Sequence, residues 1–323
     1  MKRFIYSIFA VASLLLCASC AKDGFKAAGN DEIVVIPTLR NSRTVLVPAG
    51  DLTDSRIHID GYNATSGSRH LDANTIFDSG SWKFYTDKLD VHYYWPQNSN
   101  LDVMAYSPAK LDNTCMEVAS KSTVTCTGLP MTGEGQEGEL LYEFVCGYKG
   151  GCKKSDGAIV VPMCRPFAIV NFYLDEAVRS VLKKIEITGI YSQGIFDVES
   201  GLWNLSGDKG AFVCNVNKEY PVDINNASHL GGPFIVIPQD LRAGHSGEEV
   251  KLVVTYVSKG NAYETITETT LGEAVIASTK IGSWESGKEY NYWISLNGAA
   301  NEIHMSVTIG EWQTEGNSEV EVK

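Results

Sequence analysis

Cys20 is the residue best placed for covalent chemistry. Ala18 and Ser19 stand directly before it, Lys2 and Arg3 open the chain, and Phe4 to Leu16 is an apolar run broken only by Ser7 and Ser13. A run this short, basic at its start and ending in small residues, has the form of an export signal and is too short for a membrane span. Small residues fit a signal peptidase at the scissile bond. A cysteine in the first mature position then offers a thiol for a diacylglyceryl group and a freed amine for an acyl chain such as palmitate. Cys17 lacks this setting, because Leu16 before it is too large, and it stands where the lipoprotein pattern prefers an aliphatic residue. Each buried lipid methylene contributes about 0.8 kcal/mol, so two or three chains anchor a protein stably. The alternative is an ordinary signal peptide cleaved nearby.

Other residues that could do chemistry give weaker patterns. Gly133-Glu134-Gly135-Gln136-Glu137-Gly138 spells G-x-G-x-x-G, but a strand-like stretch follows it where the nucleotide fingerprint needs a helix, and its two glutamates repel phosphate. No G-x-S-x-G elbow is present, and the adjacent His245 and Ser246 do not make a base and nucleophile. His58, His70, His92, His229, His245 and His304 show no H-x-x-x-H spacing, and Asp51 and Asp54 lack the rest of a calcium loop. No carboxylate pair for glycoside hydrolysis stands out among 39 acids. These patterns assign no catalytic residue, no metal ligand and no cofactor, and the chain reads as a non-enzyme. Two aromatic groups, Trp82/Phe84/Tyr85 and Tyr93/Tyr94/Trp95, could stack on sugar rings or fill a β core.

Six cysteines follow Cys20: Cys115, Cys126, Cys146, Cys152, Cys164 and Cys214. An even number in an exported chain allows disulfides. No C-x-x-C occurs among them, which removes zinc-ribbon and thioredoxin-like readings. By proximity, Cys115 with Cys126 or Cys146 with Cys152 would close the shortest loops.

The elements that must position these residues are strands. The chain has 323 residues and a formal charge of −12, which becomes −14 (25 basic against 39 acidic groups) once Lys2 and Arg3 leave with the signal. Acidity of this size argues against a nucleic-acid partner. Hydrophobic residues make up 44%, enough for a sizeable core, and the length suits two domains. We place the signal peptide at 1–19, a polar tether at 20–31, an N-terminal domain at 32–154 and a C-terminal domain at 155–323. Ala21-Lys22-Asp23 is weakly similar to the lysine-plus-acid signal that sends some lipoproteins to the cell surface, but three residues are a poor basis and a plain spacer is the favoured reading.

Strands are expected at Ile33–Ile36, Thr44–Val47, Trp82–Tyr85, Val91–Trp95, Leu101–Tyr106 and Leu140–Cys146. Leu39 to Arg43 reads as a polar break between the first two. Gly147 to Gly157 reads as a linker. Later strands are expected at Ile185–Ile190, Phe212–Val216, Phe234–Ile237 and Val250–Val257, and the cleanest alternation runs through Tyr290, Tyr292 and Ile294 and through Ile303, Met305, Val307 and Ile309. Asp175–Leu182 is the one expected helix. Many short strands separated by turns indicate an all-β sandwich or barrel.

Five landmarks then occur in order: Tyr93-Tyr94-Trp95-Pro96 with Leu101 to Pro108; Gly138 to Tyr142; Arg165-Pro166-Phe167 through Phe172; Ile235 to Gln239; and Trp284 to Tyr292 with Trp312. Together with the lipid signal this order resembles the fimbrillin-like lipoproteins of Gram-negative gut and oral anaerobes, the type V pilin group. The resemblance covers most of the mature chain, although six cysteines exceed the family pattern. It implies two tandem β-sandwich domains of antiparallel strands, transthyretin-like or Greek-key-like. It implies an outer-membrane, cell-surface subunit of a fimbrium that serves adhesion and biofilm formation, with other subunits and a host or bacterial surface ligand as partners. It also implies assembly by strand exchange, in which the lipid-bearing first strand is cut off after an arginine, here Arg40 or Arg43, and a donated strand fills the groove. Val320 and Val322, in the alternating C-terminal stretch, are the donor candidates. The alternative reading is a surface glycan-binding lipoprotein of a nutrient-uptake system.

Overall fold

Alternating apolar and polar side chains put one face of a strand into a core, and long runs of such segments build sheets. The protein is represented by a computed structural model that describes residues 31–40, 46–48, 56–86, 91–111, 114–132, 144–174, 180–220, 230, 233–242, 249–258, 269–276, 281–297, 302–312 and 320–321. Among them the regular structure is β, with a 3-10 turn at Lys154–Asp156.

The first strands are β1 (Val35–Arg40), β2 (Leu46–Pro48), β3 (Ile57–Asn63), β4 (Arg69–Asp78), β5 (Ser81–Tyr85) and β6 (Leu101–Ser107). A hairpin of β7 (Met116–Ser120) and β8 (Thr123–Cys126) follows, and then β9 (Val145–Cys152) and β10 (Ile159–Cys164). Eight of these form one sheet in the order β2-β1-β10-β9-β6-β3-β4-β5. The sheet curls until its two sides meet. Ile33 N–H donates to Tyr93 O at 2.8 Å and Trp95 N–H to Asp31 O at 2.9 Å, while Val91 N–H reaches back to Phe84 O of β5 at 3.2 Å. Alternate residues of β1, β3, β4, β6 and β10 therefore share one core, which includes Val35, Ile59, Leu71, Val103 and Val161.

The second half contains β11 (Ala168–Leu174), β12 (Ser180–Ile190), β13 (Gln193–Asp197), β14 (Leu202–Ser206), β15 (Gly210–Tyr220), β16 (Phe234–Val236), β17 (Lys251–Ser258), β18 (Thr269–Val275), β19 (Lys288–Asn297), β20 (Glu302–Glu311) and β21 (Val320–Glu321). Nine of these form a sheet in the order β15-β12-β17-β18-β20-β19-β11-β16, with β21 on β20. Its core holds Phe172, Phe212, Phe234, Trp284 and Tyr292. A four-stranded sheet, β14-β13-β8-β7, draws two strands from each half. Beneath it lies a third core that includes Met104, Val124, Phe144, Phe167 and Phe196.

The expected all-β, mainly antiparallel class is what the structure shows, with three parallel pairings: β1 with β10, β11 with β19, and β18 with β20. Each half repeats one device. Its first strand lies parallel to a late strand on one side and antiparallel to a short strand on the other, β2 for β1 and β16 for β11.

Several local expectations need correction. The first strand runs Val35–Arg40 instead of Ile33–Ile36, because Leu39 continues the buried alternation and is 8% exposed. The polar break therefore begins after Arg40. Val91–Trp95 forms no named strand, and its one bridge joins Tyr94 to Glu32. The helix expected at Asp175–Leu182 is overridden at its C-terminal end. Ser180–Leu182 opens β12, where strands on both sides supply the backbone partners, and residues 175–179 lie outside the described set. Gly147–Cys152 of the expected linker is paired in β9, and the chain passes from the first large sheet to the second between β10 and β11.

Candidate functional site

The residues with the clearest functional geometry are those of β1. Ile33, Val35, Pro37 and Leu39 are buried at every second position, and Val34 and Ile36 between them are half-buried. One flank of β1 pairs in parallel with β10 from Val35↔Ile159 to Leu39↔Met163. The other flank meets Tyr93 and Trp95 through the two bonds described above, and then β2 from Thr38↔Pro48 to Arg40↔Leu46. Thr38 Oγ1 also donates to Val161 O at 3.4 Å. The strand thus lies in a slot with backbone partners on both edges and an apolar floor beneath. A segment held in this way is defined by main-chain hydrogen bonds and alternate side-chain pockets, which is how an added strand is recognised.

Arg40 occupies the last rung of the strand, opposite Leu46. Arg43 lies outside the described residues, as do Cys20 and Val322. Val320 is described, and its backbone pairs with Ile309 of β20. The G-x-G-x-x-G stretch, Asp51, Asp54, His229, His245 and Ser246 are outside the described residues.

The aromatic groups mostly serve packing. Phe84 is buried, with Tyr93 edge-on at 5.4 Å, and Trp82, Tyr93 and Trp95 lie against the first core. Tyr94 alone of the six stands exposed, at 58%.

The third and fifth sequence landmarks meet around Pro166 and Phe167. Pro166 O accepts from Trp203 Nε1 at 2.7 Å and from Ser286 Oγ at 3.0 Å. Phe167 O accepts from Gly287 N–H at 2.8 Å, and Gly287 O from Trp312 N–H at 2.9 Å. The Arg165 guanidinium lies 5.0 Å from the Trp312 ring centre. Asn171 Nδ2 donates to Glu289 Oε1 and to Asn291 Oδ1, both at 2.8 Å, and Trp284 Nε1 to the Tyr292 hydroxyl at 3.0 Å.

Sequence reasoning missed a charged cluster on β3 and β4. His58, Asp60 and Asp72 present ligand-type atoms within 4.8 Å of one another. Arg69 sits among them, bonded to Asp60 and, at 2.8 Å, to Asp72, so an existing cation already balances the carboxylates. His58 Nδ1 faces Asn74 Oδ1 at 3.0 Å and Nε2 faces Asp60 Oδ1 at 3.1 Å. Two acceptors favour the imidazolium. Burial pushes the His58 pKa down, and the bonds to Asp60 and Asn74 outweigh this and leave it raised. Burial likewise pushes Asp60 up, and bonds from His58 and Arg69 hold it below the usual carboxylate range.

The signs give a pH window. The raised histidine stabilises fully below its unfolded value of about 6.5 and loses that contribution as pH rises through the folded value. The depressed aspartate stabilises above about 3.9 and loses that contribution as pH falls through its folded value. Stability from the cluster should therefore peak between the two. Asp60→Asn should cost about 1–3 kcal/mol near pH 6 and flatten the loss above pH 6.5. Urea midpoints across pH for both proteins check this, and an unchanged midpoint would refute it.

Comparison with known proteins now bears on the slot. A fimbrillin-like family model matches residues 52–312. The chain belongs to the fimbrillin-like family. The matched span begins after β1 and β2, so β10 and the Tyr93–Trp95 segment of the slot lie within it, and the strand that fills the slot does not. Three solved structures share the fold. A putative cell adhesion protein from Bacteroides ovatus ATCC 8483 is 14% identical, with 90% of this chain and 100% of that one covered and a TM-score of 0.57. One from Bacteroides uniformis ATCC 8492 is 13% identical, with 87% and 99% covered and a TM-score of 0.53. A fimbrial protein from Bacteroides vulgatus ATCC 8482 is 12% identical, with 88% and 100% covered and a TM-score of 0.51. No curated protein matches the sequence.

Proposed function

We propose that this fimbrillin-like chain is a structural or accessory subunit of a surface fimbria. Lipid at Cys20 tethers it to the outer membrane, a cut after Arg40 or Arg43 releases the first strand, and a strand from another subunit then occupies the vacated slot. The fibre serves cell adhesion and biofilm formation. The observation that carries this reading is the setting of β1. It is the first strand of its sheet, it fills alternate pockets of the first core, and a candidate cleavage residue sits on its last rung. The family, and relatives described as cell adhesion and fimbrial proteins, support the same reading. Val320 and Val322 remain the donor candidates. Loss of the first strand would also separate the lipid from the rest of the subunit, so maturation and release from the anchor would be one event.

The test is the double variant Arg40→Ala/Arg43→Ala, produced in the native cell. We expect it to retain an acylated N-terminus at Cys20 by intact mass and to give no ladder of polymers on gels run without boiling, where the parent chain gives one. A polymer ladder from the uncleaved variant would overturn the cleavage step.

A further inference from the structure

We propose that Cys115 with Cys126, and Cys146 with Cys164, are two disulfide-forming sites that lock the central core of the exported protein. All six described cysteines are thiols in this structure. The Sγ atoms of Cys115 and Cys126 lie 3.8 Å apart, and the backbone around them is already fixed, since Thr127 N–H donates to Cys115 O at 2.8 Å. Cys146 and Cys164 are directly opposed on antiparallel β9 and β10, and their thiols hydrogen-bond. Opposed antiparallel residues have Cα atoms about 4.5–5.5 Å apart, inside the range a disulfide spans. Both pairs belong to the third core: Cys126 and Cys146 are buried in it, and Cys115 and Cys164 pack against it.

The same geometry excludes other pairings. Cys146 and Cys152 are six residues apart on β9, roughly 20 Å along an extended strand, so the pairing that proximity in sequence suggests cannot form. Cys152 lies in the first core and Cys214 in the second, which leaves both as thiols.

Each pair has one buried and one half-buried member, which sets the order of events. Cys126 is pushed up by its bond to Cys115 and by burial, and Cys146 by burial and its bond to Cys164. The half-buried partners are the better attackers, because exchange proceeds through the thiolate and needs access. Cys164 lines the cleft that also holds Arg165 and Trp312. The oxidant is a disulfide, either of an exported oxidoreductase or of glutathione. The Cys164 thiolate attacks one of its sulfurs, and the oxidant's S–S bond breaks to release one thiolate. Cys146, deprotonated, then attacks the Cys164 sulfur and releases the second. Two protein thiols are oxidised, one disulfide is reduced to two thiols, and the two protons pass to the released sulfurs. Cys115 and Cys126 follow the same course.

The experiment traps thiols with an alkylating agent as cells are harvested and maps, without reduction, the peptides from cleavage after lysine, arginine and glutamate. Lys121 separates Cys115 from Cys126, Glu134 to Glu143 separate Cys126 from Cys146, and Lys149, Lys153 and Lys154 separate Cys146 from Cys164, so the four cysteines fall on four distinct peptides. We expect two linked peptide pairs, Cys115–Cys126 and Cys146–Cys164, with Cys152 and Cys214 alkylated only after denaturation. The purified full chain, oxidised with glutathione disulfide, should give the same map. Cys115→Ser and Cys164→Ser should each lose one link and retain the other. Reductant should lower the Tm of the parent chain and leave that of the double variant unchanged. Alkylated thiols at all four positions in both preparations, or any other linkage, would overturn the assignment.

Discussion

A chain that starts at Asn41 should lose about 5–9 kcal/mol of stability. Ile33, Val35 and Leu39 are each buried in the first core, and full burial of such a side chain contributes about 1.5–3 kcal/mol. Truncation also strips the backbone partners of β10 along five rungs and opens an apolar trough to water. A loss of this size approaches the whole stability of a typical domain, about 5–15 kcal/mol, so the first sheet should melt near room temperature and bind a hydrophobic dye. A synthetic peptide of residues 31–40 added in trans should restore a cooperative transition, with a Tm that rises with peptide concentration. The same peptide with Val35→Asp should not, because its carboxylate would enter the core without a partner. A truncated chain as stable as the full one, or insensitive to the peptide, would show that the slot has no role in holding a strand.

Gly147→Ala should cost about 3 kcal/mol, at the upper end of the usual overpacking penalty. A Cβ at this position would stand 2.5 Å from Pro162 O and 2.9 Å from Met163 Cα. Both atoms are backbone of β10, so no side-chain rotation relieves the clash and the β9–β10 rungs must part. Gly310→Ala is the matched control. Its added Cβ meets nothing within 4 Å, and the change should fall within about 0.5 kcal/mol. Chemical denaturation of the two variants side by side separates steric exclusion from the general effect of replacing a strand glycine. Because β10 also forms one wall of the slot, Gly147→Ala should weaken binding of the 31–40 peptide to the truncated chain, and Gly310→Ala should not.

Local alternation carried the sequence reading where a strand is buried on one face. Tyr290, Tyr292 and Ile294 are buried on β19 opposite Ile309, Val307 and Met305 of β20, and their period of two is visible in the sequence. Alternation misled at Val91–Trp95, where the aromatic residues pack from an irregular segment that is bonded to its neighbours at few points. It also could not separate helix from strand at Val181 and Leu182, since apolar residues spaced for a helix face sit equally well in a strand with partners on both sides. The slot itself was only half legible. Arg40 at the end of β1 and Arg43 after it in the sequence are local features, but the wall of the slot is β10, and Thr38 reaches Val161 across 123 residues of chain. Pairing at that distance leaves no mark on local spacing. The opposition of Cys146 and Cys164 was hidden for the same reason, as was the Asp60 cluster, whose charges gain meaning from the register of β3 against β4.

The shared four-stranded sheet bears on how a subunit would respond to tension. β8 from the first half and β13 from the second are joined by four backbone rungs, from Gly194↔Cys126 to Asp197↔Thr123, and the core beneath them is drawn from both halves. The two large sheets therefore cannot hinge apart without tearing that ladder and wetting Phe167 and Phe196. A pull on such a body passes through it without bending, and stretch in a fibre made of these subunits would be confined to the joints between them.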